Sequence, residues 1–357
     1  MQTLISILAG MALLVWGTHI VRSGVLRVFG GGLRKVLADS VANRFHAFLA
    51  GLGVTALVQS SSATALIVSS FASQNLMALA PALAVMLGAD VGTSLVAQLF
   101  SLDLSWLAPL AIGGGVILHL SRKATRAGQI GRIAIGVGLI ILALQMILQA
   151  ARPLTQAAGV KVIFGTLSGD PMLDLLIGAL FTMLAWSSLA VVLLTAAFVG
   201  SGLIGLKVAL FLVLGANLGS GLLALLATSG ASASGRRVAL GNLVFKLVGC
   251  ALTVPLLGVI EGALAWLDPD PQRLVVNFHT AFNVLLAVTF IFLTEPAARF
   301  VARLVADESA KAAAARPQNL DPGALDTPAL ALANAAREAL RIGDIVEKML
   351  AGMLAAI

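Results

Sequence analysis

Charge is scarce in this chain. Only 11% of its 357 residues are Asp, Glu, Lys or Arg, and 59% are hydrophobic. A soluble fold of that composition would have too little polar surface to cover its core, so the apolar excess must face lipid. Cysteine is nearly absent as well. Cys250 stands alone, which excludes an intrachain disulfide and a cysteine metal cluster. The N-terminus, MQTLISILAG, has no basic residue ahead of its apolar run and no small-residue cleavage site, so a removable signal peptide is not expected and the first helix should stay. Neither GxSxG nor HExxH occurs. The net charge of +7 reflects the Lys and Arg that membrane proteins keep on their cytoplasmic side; it carries no weight for substrate, and no nucleic-acid partner is expected.

What is present is a repeat. Shifting the chain by 127 positions lays VTALVQSSSATALIVSSFA, from Val54, over FTMLAWSSLAVVLLTAAFV, from Phe181, without a gap. At the same shift GADVGTSL, from Gly88, falls on GANLGSGL, from Gly215. Leu and Ala matches come cheaply in such a composition. Thr55 with Thr182, Ser60 with Ser187, Ser61 with Ser188, Gly88 with Gly215 and Gly92 with Gly219 do not. A duplicated unit with weak internal symmetry is the signature of many secondary transporters, whose site lies at the repeat interface.

Charge sets the expected topology. Basic residues cluster at Arg22 to Arg44, Arg122 to Arg132, Arg236 with Arg237, and Arg299 with Arg303, and the positive-inside rule puts these in the cytoplasm. Threading helices through them predicts an all-α polytopic protein with spans near 4–21, 76–100, 105–121, 131–150, 203–227, 237–260 and 274–298. That makes about seven transmembrane helices, with the N-terminus outside and the C-terminus in the cytoplasm. Segments 45–73 and 170–199 are interrupted by their serines and must return to their starting side, so both read as re-entrant hairpins. Three spans separate equivalent points, which gives the copies opposite orientation. The chain divides into a first inverted repeat over 1–121, a second over 122–260, a last transmembrane helix over 261–304, a linker over 305–328 and an amphipathic helix over 329–357.

The hairpin tips would then approach each other near the bilayer midplane, where broken helices survive only if buried in protein or lining a wet cavity. Gln59 offers an amide, and Ser60, Ser61, Ser62 and Thr64 offer hydroxyls. A half-helix N-terminus adds unpaired N–H groups and a partial positive charge, a site for an oxyanion. Small residues also permit close helix packing, which suffices for any one serine but less well for four consecutive polar residues. Asp90 is the one carboxylate well inside a predicted span. With Thr93 beside it, and Asn217 and Ser220 as its neutral counterparts, it is a candidate for a hard cation, as is the hydroxyl of Thr64.

QSSSAT followed by GADVGTS, echoed as WSSLA and GANLGSG, resembles the type II sodium-phosphate cotransporter family, and NFHTAFN from Asn277 is similar to that family's last membrane stretch. The resemblance covers roughly residues 4–304. It implies sodium-coupled symport of inorganic phosphate by alternating access in the inner (plasma) membrane, with sodium as the coupling ion and no other cofactor. Carried over, it makes Gln59, Ser60, Ser61, Ser62, Ser187, Ser188 and Asn217 phosphate contacts, and Asp90, Thr64, Thr93 and Ser220 cation contacts. Trp186 and Leu189 depart from the pattern, so the cradle should be lopsided. A carrier of another oxyanion or small polar solute would use the same hairpins. An intramembrane serine enzyme would need a base near its nucleophile, and the hairpin tips hold no His or Lys; a scaffold that only relays phosphate status would need neither repeat nor hairpins.

Lys246 lies inside a span and is expected to pair with carbonyls or snorkel to the interface. His279 and Asn283, four apart, suit a buried interhelical hydrogen bond. His119 beside Arg122 suits an interfacial position. The tail is similar to the first helix of a PhoU-type regulatory bundle. Alone, such a helix must dock on the membrane domain, form a homodimer, or be the stump of a truncated domain, which is the reading preferred here.

Overall fold

The computed structural model describes residues 2–40, 43–123, 125–151, 170–264, 268–306, 317–325 and 327–354. Among these there is no strand. Part of the expected linker, 307–316 and 326, lies outside the described residues, as do 152–169 within the second repeat, 265–267 of the loop before the last span, and the end of the tail helix at 355–357. Among the described residues six helices are long and apolar enough to cross a membrane, and the chain is a multi-pass membrane protein.

The first helix, α1, runs from Gln2 to Asp39 without a break, where the sequence predicts a span ending at residue 21. Its 38 residues reach about 57 Å, nearly twice a hydrocarbon core, so the basic half continues the helix beyond the lipid instead of forming a loop. Gly10, Gly17 and Gly24 recur every seventh residue and sit against Ile147, Ile140 and Ile133 of α6 (Arg126–Ala151). The reversed order makes the pair antiparallel. A methyl on Gly10 would meet Ile147 at 2.7 Å, so glycine is what lets these backbones approach.

Between them lie α2 (Arg44–Val58), α3 (Ser61–Ser73), α4 (Leu79–Phe100) and α5 (Leu107–Ser121). After α6 come α7 (Pro171–Ala185), α8 (Ser188–Gly200) and α9 (Leu206–Ala227). Each bound of α7, α8 and α9 falls 127 positions after its counterpart in α2, α3 and α4. Packing repeats too: Gly51 abuts Val85 and Gly88 abuts Phe48, while Gly178 abuts Leu212 and Gly215 abuts Leu175. The expected span at 105–121 is the 15-residue α5, about 22 Å long and short of a full crossing.

Helix α10 (Ala233–Thr253) is followed by a 3-10 turn, Val254–Leu256, and α11 (Leu257–Leu264); Pro255 withholds the amide that would continue the α-helical ladder. Leu83 and Asp90 of α4 meet Gly241 and Lys246 of α10 in the same order along both helices. Leu214, Ser220 and Gly221 of α9 meet Cys250, Lys246 and Leu243 in reverse. The C-terminal end of α3 touches the start of α10, Ser69 against Gly235, and the end of α8 touches the start of α12 (Pro271–Phe290), Gly200 against Gln272.

The last predicted span, 274–298, ends early, at Phe290. A separate amphipathic helix, α13 (Thr294–Leu304), follows, and Pro296 in its first turn needs no amide donor there. The segment ahead of the tail helix, α14 (Pro328–Leu354), ties that helix to α1. Arg34 of α1 donates to Asp321 at 2.6 Å, and the Glu338 carboxylate accepts from the amides of Gln318 and Asn319 at 3.0 and 2.8 Å.

Candidate functional site

Both serine-rich segments break where the sequence places the tips. Gln59 takes a left-handed conformation, φ 58°, and its N–H donates to the Thr55 carbonyl at 2.7 Å, closing α2. Ser60 is extended, and its Oγ accepts the Ala63 amide at 3.2 Å, opening α3. The second copy repeats the left-handed residue and the cap: Trp186 sits at φ 52°, and Ser187 Oγ accepts the Ala190 amide at 3.2 Å. Serine is among the best N-caps, because its short hydroxyl reaches an amide that has no partner in the first turn. A side chain larger than glycine in the left-handed region is uncommon and marks a constrained position.

The tips share a cavity of about 790 Å3, into which Gln59, Ser60, Trp186 and Ser187 all face. Gln59 Oε1 is buried and accepts no hydrogen bond from the described residues. Ser62 faces a second cavity of about 190 Å3, which Trp186 also lines. Ser61 and Ser188 are buried in the first turns of α3 and α8 and line neither cavity. The hydroxyls of Ser60 and Ser187 are therefore partly committed to capping, while each helix still presents its first two amides toward the tip.

The copies differ beneath the tips. Thr55 and Thr64 share a buried hydrogen bond of 2.7 Å between their hydroxyls, joining α2 to α3. Thr182 matches Thr55, but Val191 stands where Thr64 would be, and the buried Thr182 hydroxyl has no partner among the described residues. The lopsidedness read at Trp186 and Leu189 thus extends a turn deeper.

The residues expected to hold a cation do not converge on one vacant site. Lys246, 1% exposed, donates to Asp90 Oδ1 at 2.8 Å and to Ser220 Oγ at 2.6 Å. It neither snorkels nor pairs with carbonyls, because the Asp90 carboxylate lies within its reach. Thr64 is bonded to Thr55, and the Thr93 hydroxyl donates to the Ala89 carbonyl of its own helix at 3.1 Å. Asn217, expected at the phosphate, is buried beneath the site; its Nδ2 donates to the Val213 carbonyl at 2.9 Å and contacts His279 Nδ1 at 3.2 Å. Asn283 Nδ2 meets the same ring nitrogen at 3.2 Å, so the expected His279 pairing is present and extends to α9. His119 bridges α5 and α6 through the Gly128 carbonyl at 2.9 Å.

Two cavity residues escaped the sequence reading. His19 and Arg22 of α1, three apart and so on one helix face, line both cavities. Arg22 opened a basic cluster and passed as a topology marker; the neighbouring His19 was the only further signal.

A model of the family described as Na+/Pi-cotransporter matches residues 13–149 and 151–294. The chain is 55% identical over 353 residues to the Escherichia coli protein named "Putative inorganic phosphate export protein YjbB", covering 99% of this chain and 65% of that one; the Salmonella typhimurium protein of the same name matches equally. An uncharacterized Bacillus subtilis protein, YqeW, is 27% identical over 306 residues, 85% of this chain and 99% of its own length. The chain thus spans about two thirds of the length of the enterobacterial relatives. No solved structure matches.

Proposed function

The chain belongs to the Na+/Pi-cotransporter family, and we propose that it carries inorganic phosphate across the inner membrane by alternating access, with sodium as the coupling ion. The observation that carries this reading is the cavity of about 790 Å3 shared by the two tips, with Gln59, Ser60 and Ser187 as neutral donors and acceptors. Half-helix N-termini at α3 and α8 add amides and dipole charge suited to an oxyanion. Phosphate held by neutral groups can be released on the far side, which a carrier needs.

In this reading the copies are inverted. Support comes from α10, along which α4 is met in parallel order and its counterpart α9 in antiparallel order. The hairpin ends agree: α3 finishes beside the start of α10, next to Arg236 and Arg237, and α8 finishes beside the start of α12, after a loop free of Lys and Arg. The first group is cytoplasmic and the second external under the positive-inside rule, which leaves the N-terminus outside.

For sodium, oxygen donors are required. With Asp90 and Ser220 holding Lys246, the Thr64 and Thr93 hydroxyls and the carbonyls freed at the helix breaks are the groups we assign to it. The α14 helix is, in the same reading, the start of a PhoU-type regulatory bundle.

The test is labelled phosphate flux in proteoliposomes under inward, outward and absent sodium gradients, with sulfate in parallel. Phosphate movement that follows the sodium gradient in either direction is expected, because a symporter runs as the gradients dictate. Sulfate carried in place of phosphate would defeat the substrate assignment. Phosphate flux indifferent to sodium would defeat the coupling alone. The export in the relatives' name favours outward flux as the working direction.

A further inference from the structure

The position that the sequence offers to a cation holds an ammonium. Lys246 of α10 is bonded at once to Asp90 of α4 and to Ser220 of α9, deep between the two copies. The Ser220 hydroxyl donates its own proton to the Asn217 carbonyl at 2.7 Å, so it turns only lone pairs to the ammonium. Asn242, one turn earlier on α10 and equally buried, lies against the Asp90 carboxylate, and its Oδ1 accepts no hydrogen bond from the described residues. A carboxylate, a hydroxyl presented by its lone pairs and an amide oxygen are the donors that a hard cation takes.

Backbone oxygens do not complete that set. Helices α4 and α9 run without a break past Asp90 and Ser220, so their carbonyls stay in the helical ladder. Gly88 and Gly92, which flank Asp90, serve a close crossing with Phe48 and Leu52 of α2 instead of an unwound turn. What Asp90 requires is therefore a counter-charge. A buried carboxylate without one is strongly disfavoured, and a counter-ion drawn from solution is lost each time it is released. A lysine cannot leave.

We propose that Lys246 is a tethered counter-ion: its ammonium occupies the cation position formed by Asp90 and Ser220, which therefore keeps its charge through the transport cycle and exchanges no sodium. This rests on the transport reading above. In it, any sodium that does exchange is left to the Thr64 and Thr93 hydroxyls and the carbonyls at the helix breaks. Removing the ammonium should open the position to a sodium ion from solution.

The experiment is equilibrium binding of radiolabelled sodium to the purified full chain, with choline as the replacement cation. Lys246→Ala is expected to bind one sodium ion per chain more than the wild type, and adding Asp90→Asn to it should remove the extra ion. Sodium in place of choline should also raise the unfolding temperature of Lys246→Ala more than that of the wild type. A Lys246→Ala protein with the wild-type count would overturn the proposal. Should that variant not fold, Lys246→Met combined with Asp90→Asn tests the position with neither charge left alone. It should bind as many sodium ions as the wild type; one fewer would show that sodium reaches Asp90 in the native protein, and the proposal would fall. A wild type that binds no sodium would end the coupling reading, while an extra ion in Lys246→Ala would still support the tether.

Discussion

Lys246 Nζ lies 2.8 Å from Asp90 Oδ1 and 2.6 Å from Ser220 Oγ, so one buried ammonium ties α10 to α4 and to its counterpart α9. Asn242, one turn earlier on α10, lies against the same carboxylate. Neither ion is stable alone in such a place. Together they form a joint between the copies at the level where α4 and α9 carry Asp90 and Asn217.

Removing one partner should therefore cost more than removing both. Lys246→Ala leaves an uncompensated carboxylate and is expected to cost about 3–5 kcal/mol. Lys246→Met combined with Asp90→Asn should recover most of that loss. Thermal unfolding of the detergent-purified variants measures it, and a double variant no better than the single one would refute the pairing as the cause.

The buried threonines give a paired test. Thr55→Val removes the 2.7 Å partner of Thr64 and leaves it only the Ser60 carbonyl at 3.3 Å, so it should destabilise by about 1 kcal/mol. Thr182 lacks a partner among the described residues, so Thr182→Val should be neutral or stabilising, and Val191→Thr should supply the hydroxyl that the first copy has. Unfolding midpoints of the three variants decide it. Equal losses at Thr55 and Thr182 would contradict the asymmetry.

Gln59 is constrained twice, by its left-handed backbone and by its buried amide oxygen. Gln59→Gly relaxes the backbone and removes the amide. Phosphate flux should be lost while the unfolding temperature holds, which separates a binding role from a capping one. Retained flux would remove Gln59 from the site.

Trp186→Gln restores at the second tip the residue type of the first. Trp186 lines both cavities, so phosphate affinity or sodium dependence should change. Flux with unaltered concentration dependence would show that the tip does not meet the substrate.

Gly88 and Gly215 offer a symmetric control. A methyl at either would collide with a backbone carbonyl, that of Phe48 or of Leu175. Backbone cannot yield as a side chain can, so both alanine variants should lose several kcal/mol, on the order of an overpacked core, and to a similar degree. Yield of folded protein and unfolding temperature report this.

The hairpin breaks were legible because they are local. Ser60 and Ser187 cap the helices they precede, and each cap depends on a hydroxyl three residues from its amide, a relation written in the chain. The repeat was legible for a similar reason: Gly88 and Gly215 permit the same close crossing, and a 127-residue shift shows it. Helix ends were less so. α1 passes residue 21 because the basic residues that mark a membrane boundary do not break a helix.

The sequence by itself determined a polytopic membrane protein, two copies of one unit, and two serine-capped tips. Those properties follow from composition, period and short-range hydrogen bonding. Only the tertiary structure decided that Lys246 answers Asp90, that Val191 offers Thr182 no hydroxyl, and that Arg22 shares its cavities with Trp186. The residues that meet there lie as much as 164 positions apart, and which faces of two helices come together depends on the packing of all the others.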